Sequence, residues 1–151
     1  MNNPNTYYKP NFTIPLSKPY MGEEEIRAAS KSILSGSIRG HGEVGIKLKD
    51  FMKDLFSIKF VILTTSCTHA LELALMTLNI TEKDEVILPS FSFVSCATAI
   101  VRQGTRPIFT DIEEEYLNIG PRKIEERITE KTKAIMCIHY AGVGSLSSII
   151  L

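Results

Sequence analysis

Two spacings divide the apolar positions of this chain. Over residues 22–55 they recur every three or four residues, and from residue 60 onward short apolar runs alternate with helical segments. The stretch GEEEIRAASKSILSG, residues 22–36, reads as a helix. Its acids fall in the first turn, where the helix dipole favours negative charge, and a glycine follows its last periodic residue. A glycine-rich loop, SGSIRGHGEVG, then carries Arg39 and His41. A second helix is predicted from about residue 46 to 55, with Leu48, Phe51, Met52 and Leu55 along one buried face.

The later pattern predicts strands at 60–63, 85–88, 106–110 and 133–139. Between them lie helices at 68–78, 93–103 and 121–128, the last with Pro121 at its start. The helix at 93–103 is the least regular, because its serines, threonine and valines are modest helix formers. Strands alternating with helices argue for crossover units in a largely parallel sheet, an α/β fold. Residues 1–21, rich in Asn, Pro and Tyr, read as an extended arm. After the last strand only VGSLSSIIL remains, too short for a further helix and strand, so a parallel sheet ending there leaves an unpaired edge. The expectation is part of a domain over 22–143, with an atypical tail at 144–151.

Composition adds exclusions. In 151 residues, 44% hydrophobic and 23% charged, Lys and Arg balance Asp and Glu, so no basic face for nucleic acid or an anionic membrane is expected. The N-terminal stretch lacks the apolar core of a secretory signal. Cys67, Cys96 and Cys137 form no C-x-x-C pair and share no metal-like spacing with His41, His69 and His139. Reduced thiols, a cytoplasmic setting and no metal site are expected.

Candidate chemistry lies where the strands give way to helices, the edge at which parallel sheets bind ligands. The turn TTSCT, residues 64–68, puts hydroxyls at a helix start, where unpaired N–H groups and the dipole favour an anion. Ordinary helix capping by Ser or Thr explains the same residues, and both readings stand. The loop LPSFSFVS, residues 88–95, sets Phe91 and Phe93 two apart. One can face the core while the other offers a ring to a planar ligand. In CIHYAG, His139 and Tyr140 end the next predicted strand, as ligand contacts or as structural residues. A ligand carrying a phosphate and an aromatic ring, such as pyridoxal phosphate, suits three such strand ends.

The segments IPLSKPYMGEEEI, SGSIRGHG, TTSCTHALELAL, DEVILPSFSFVSCATAI, FTDI, LNIGPRKIEERITEKTKAI and HYAGV together resemble the sugar-nucleotide aminotransferases of the DegT/DnrJ/StrS family. The pattern is nearest to enzymes that make dTDP-4-amino-4,6-dideoxygalactose. The resemblance implies the large domain of the aspartate-aminotransferase-like fold (fold type I), truncated here, and a homodimer. It also implies pyridoxal phosphate as cofactor, glutamate as amino donor, and a 4-keto-6-deoxy sugar nucleotide converted to its 4-amino form. Carried onto this chain, it places Cys67, Thr68 and His69 at the cofactor phosphate, Phe93 on the pyridine ring, and Ser95 and His139 in the same pocket. The SGSIRGHG loop matches a segment near the dimer interface. The Schiff-base lysine and the acid facing the pyridine nitrogen match no position of this chain. Asp111, closing FTDI, reads as a structural strand-end residue. By that resemblance the chain alone is expected to be inactive, or else to be a non-catalytic module that pairs with a full-length aminotransferase.

Overall fold

The computed structural model describes Pro15 and residues 18–145, so most of the expected arm at 1–21 and tail at 144–151 lie outside the described residues. The chain divides into two compact units, one ending at Val61 and the other beginning at Ile62.

The first unit holds helices α1 (Glu23–Leu34) and α2 (Glu43–Phe56). At the start of α1 the Glu25 carboxylate turns back to accept the Gly22 N–H at 2.7 Å, satisfying a donor that the helix leaves over. α2 begins earlier than its apolar spacing suggests. Gly45 hides the first turn from a propensity reading, yet Glu43 pairs with Lys47 at 2.6 Å across that turn. The loop between the helices closes tightly at Gly42, where an added Cβ would stand 2.7 Å from the Ser37 carbonyl. Neither helix contains a fully buried residue.

The second unit runs α3 (Cys67–Thr77), β1 (Glu85–Pro89), α4 (Val94–Arg102), β2 (Arg106–Thr110), α5 (Pro121–Glu125) and β3 (Thr132–Ile135). A 3-10 turn follows at Tyr140–Gly142. The three strands are parallel in the order β2-β1-β3, with Ile87 opposite Ile108 on one side and Ile135 on the other. β1 is therefore central, and all five of its residues are buried. Val86 and Leu88 join Leu75 of α3 and Cys96, Ala99 and Ile100 of α4 in one core. Ile87 packs on the opposite side with Ile119 and Ile124. A strand covered on both faces has no reason to alternate, which is why EVILP reads as a continuous apolar run. Its one charge, Glu85, is compensated: Oε2 accepts from the Thr129 hydroxyl at 2.8 Å, and Arg106 stands 3.6 Å from Oε1.

Two expected strands change. Residues 60–63 form no strand and join no ladder. Both edges of β1 are taken by β2 and β3, no described strand pairs with the segment, and Phe60 and Ile62 stay 76% and 70% exposed. The strand expected at 133–139 ends at Ile135. Met136 still donates its N–H to the Ile87 carbonyl at 2.8 Å, but the next rung of the parallel ladder needs an N–H from Pro89, which has none. His139 and Tyr140 thus sit past the strand, not within it. The helix expected at 121–128 is α5, which stops at Glu125 and tapers through turns to Ile128.

Candidate functional site

The hydroxyl-rich turn before α3 caps the helix and leaves donors over. Ser66 is the N-cap, its Oγ accepting the His69 N–H at 3.2 Å. Its neighbours spend themselves locally: the Thr64 hydroxyl donates to the Ser66 carbonyl at 2.9 Å, and Thr65 Oγ1 meets His69 Nδ1 at 2.6 Å. The capping reading is therefore correct for Ser66. Yet the cap satisfies only one orphan donor. Among the described residues, the N–H groups of Cys67 and Thr68 meet no acceptor, and they stand at the positive end of an eleven-residue helix. The Ser66 O–H can still donate outward, since a hydroxyl accepts and donates together. A phosphate group fits this donor set.

The start of α4 comes close to the start of α3. Burial pushes the Cys96 thiol up from its ordinary pKa, against an opposing hydrogen bond with Ser92, and the nearby Cys67 thiol adds to the rise. Helix contacts between α3 and α4 hold the pair together, with Leu71 and Leu75 packed in the core that includes Ala99 and Ile100. The loop from Pro89 to α4 carries both phenylalanines. Phe93, the N-cap residue of α4, is 74% exposed, and Phe91 is half-exposed. Neither enters the core. Phe91 instead packs against the Tyr140 ring, centroids 5.0 Å apart and planes tilted by 48°. That contact joins the loop after β1 to the turn after β3, and Ser95 lies half-buried one residue into α4.

His139 is held from its own chain: its Nδ1 accepts the Ser145 N–H at 2.9 Å, with the Ser145 hydroxyl at 3.2 Å. Cys67, Thr68 and His69 thus share one turn, and Phe93 and Ser95 the adjacent helix start. His139 belongs to a separate turn linked to them through Tyr140 and Phe91. Asp111 lies exposed just past β2. Arg39 and His41 line a polar hollow with Ser35, Ser37 and Gly42 in the first unit. Among the described residues no group of three or more His, Cys, Asp or Glu side chains could hold a metal ion, and no helix is long and apolar enough to cross a membrane.

One residue escaped the sequence reading. Asn118, 4% exposed, binds the turn that follows His139 with both ends of its amide, to the Tyr140 N–H and the Val143 carbonyl, each at 2.9 Å. Its only signal is a polar residue set between Leu117 and Ile119.

Known proteins are similar to this chain in sequence and in fold. An uncharacterized protein of Methanocaldococcus jannaschii is 40% identical over 129 residues, which is 85% of this chain and 33% of that protein. The spore coat polysaccharide biosynthesis protein SpsC of Bacillus subtilis is 37% identical over 137 residues, 89% of this chain and 34% of SpsC. The chain spans about a third of the length of these curated relatives. Among solved structures, the Streptococcus pneumoniae protein Spr1654, described as a sugar aminotransferase, superposes with a TM-score of 0.86 at 29% identity. The match covers 92% of this chain and 35% of Spr1654, whose structures include PLP and PMP forms. The α/β expectation holds: the second unit's parallel sheet and flanking helices are part of the fold-type-I architecture of those aminotransferases. Residues 19–148 match one family description, and the chain belongs to the DegT/DnrJ/EryC1/StrS aminotransferase family.

Proposed function

We propose that this chain forms the phosphate- and ring-facing side of a pyridoxal-phosphate site in a sugar-nucleotide aminotransferase. The observation that carries the reading is the α3 start, where the Ser66 cap leaves the Cys67 and Thr68 N–H groups unspent beside the start of α4. There Cys67, Thr68 and His69 hold the cofactor phosphate, Phe93 supplies an exposed ring for stacking, and Ser95 and His139 line the remaining wall. When bound, the cofactor supplies an electron sink for the carbon that gains or loses the amino group. This chain's residues bind it, orient its ring and shield one face from water.

Residues 22–143 are the N-terminal part of the cofactor-binding large domain. The substrate is a 4-keto-6-deoxy sugar nucleotide, the amino donor is glutamate, and the product is of the dTDP-4-amino-4,6-dideoxygalactose type. The polysaccharide role named for SpsC and the sugar-aminotransferase description of Spr1654 support that substrate class. The working enzyme is a cytoplasmic homodimer. None of the eleven lysines, from Lys9 to Lys133, matches the family's nucleophile, so the chain by itself binds cofactor without turnover. A second reading is favoured by α1 and α2, whose Ile26, Ile33, Phe51 and Leu55 are all exposed. In it the chain is a non-catalytic module that pairs with a full-length aminotransferase through such apolar surface.

Borohydride reduction of the chain with pyridoxal phosphate tests the first reading. Reversible binding without a single stoichiometrically labelled lysine is expected, and Phe93→Ala should weaken binding by about 0.5–1.5 kcal/mol, the worth of an aromatic stack. Labelling of one lysine together with turnover would overturn the predicted inactivity.

A further inference from the structure

Asn118 is a buried amide with both ends spent on one short stretch of backbone. Oδ1 accepts the Tyr140 N–H and Nδ2 donates to the Val143 carbonyl, each at 2.9 Å. The stretch between these anchors is one a free chain visits rarely, because Ala141, which carries a Cβ, sits at φ 51° in the left-handed region, whereas Gly142 takes its φ of 81° freely. On either side of the clasp stand His139 and Ser145, and the Ser145 N–H donates to His139 Nδ1 at 2.9 Å. An N–H can approach only a ring nitrogen that carries no proton, so the ring proton resides on Nε2.

We infer that Asn118 is the positioning residue of the site. By closing the Tyr140–Val143 turn it brings Ser145 back onto His139, which fixes the imidazole as an Nε2–H donor. It also seats Tyr140 against Phe91, on the loop that carries Phe93. A side chain buried in β-sheet flanking structure thereby sets the hydrogen-bonding sense of a residue on the binding edge. Outer groups that fix an imidazole's tautomer act in this way at metal sites, where their loss typically costs about tenfold or more in affinity, and an effect of that order is expected here. The ligand that meets the Nε2–H rests on the pyridoxal-phosphate reading; the tautomer and its control by Asn118 do not.

The test uses the full 151-residue chain, labelled with ¹⁵N at histidine and observed by NMR without any ligand. The expected wild-type spectrum shows His139 in a single Nε2–H form. In Asn118→Ala the two ring nitrogens should average between tautomers while far-ultraviolet circular dichroism stays that of the wild type. Asn118→Asp keeps the acceptor for Tyr140 but loses the donor to Val143, and should give the same averaging. Ser145→Pro, which removes the donor N–H and leaves Asn118 intact, should release the tautomer too, and serves if the Asn118 variants fail to fold. A mixed tautomer in the wild type overturns the inference, as does an unchanged single tautomer in the folded variants. Pyridoxal phosphate is then titrated separately, with a loss of about tenfold expected in Asn118→Ala. If the wild type binds none, the functional reading falls while the tautomer result stands.

Discussion

Asp84 shows how a single side chain just ahead of β1 ties local geometry to pH. Its carboxylate accepts the Thr81 N–H at 2.7 Å and the Thr81 hydroxyl at 2.8 Å. The backbone bond is the larger cause, and together they hold the carboxyl below its ordinary pKa. A depressed folded-state pKa means that the charged form is favoured by folding. The contribution is therefore present above the ordinary aspartate range, near pH 4, and is lost as pH falls through the lower folded value. Asp84→Asn keeps an acceptor oxygen but no charge, so its melting temperature should trail the wild type near neutral pH. The gap should close on titration from about pH 5 toward about pH 3. Parallel thermal melts across that range check it, and a constant gap would mean that Asp84 acts by shape alone. Ser66 makes a related point without titrating: one hydroxyl caps α3 and still has a proton to give, so capping and anion binding were never exclusive at that position.

At the scale of elements, what the sequence made legible follows from what decides each element. β1 is set by burial on both faces, and its apolar run showed it; α3 showed itself by the spacing of Leu71, Leu75 and Leu78, while α4, rich in modest helix formers, was legible chiefly from its place between two strands. The segment at 60–63 is as apolar as β1, but a strand is completed by a partner, and no single stretch of sequence reveals whether one is there. Likewise β3 stops where Pro89 of β1 has no N–H to give the ladder, a feature of the partner strand and not of the composition of 133–139. Asn118 stayed hidden for the same reason, since its partners lie more than twenty residues away along the chain. Placement in the ladder should translate into energy. Ile87, fully buried between Ile119 and Ile124, should cost about 2–5 kcal/mol as Ile87→Ala, through lost burial and an unfilled cavity. Ile62→Ala, at a side chain 70% exposed, should stay within about 0.5 kcal/mol. Urea unfolding of the two variants measures both, and equal losses would show that residues 60–63 are packed in solution.

For the whole molecule, the parallel order β2-β1-β3 sends every strand's carboxyl end to one edge, and that edge collects the α4 start and the His139 turn. The α3 start joins them through its packing on α4. A site assembled from that many elements exists only in the folded state, so a ligand that fits it must stabilise the fold by mass action. At pyridoxal phosphate about a hundredfold above its dissociation constant, the gain is about 2.7 kcal/mol. For a unit of this size that amounts to roughly 10 °C or more in melting temperature. Inorganic phosphate, which fills the Cys67–Thr68 end and nothing else, should give a smaller rise, and Phe93→Ala should lower the cofactor's shift while leaving the phosphate shift as it was. This pattern separates two contributions that direct affinity alone would merge, the anion at the helix start and the ring beside α4. A melting temperature indifferent to both ligands would mean that these elements do not complete a cofactor site within this chain, and would turn attention to the exposed apolar side chains of α1 and α2 as surface for pairing with an intact aminotransferase.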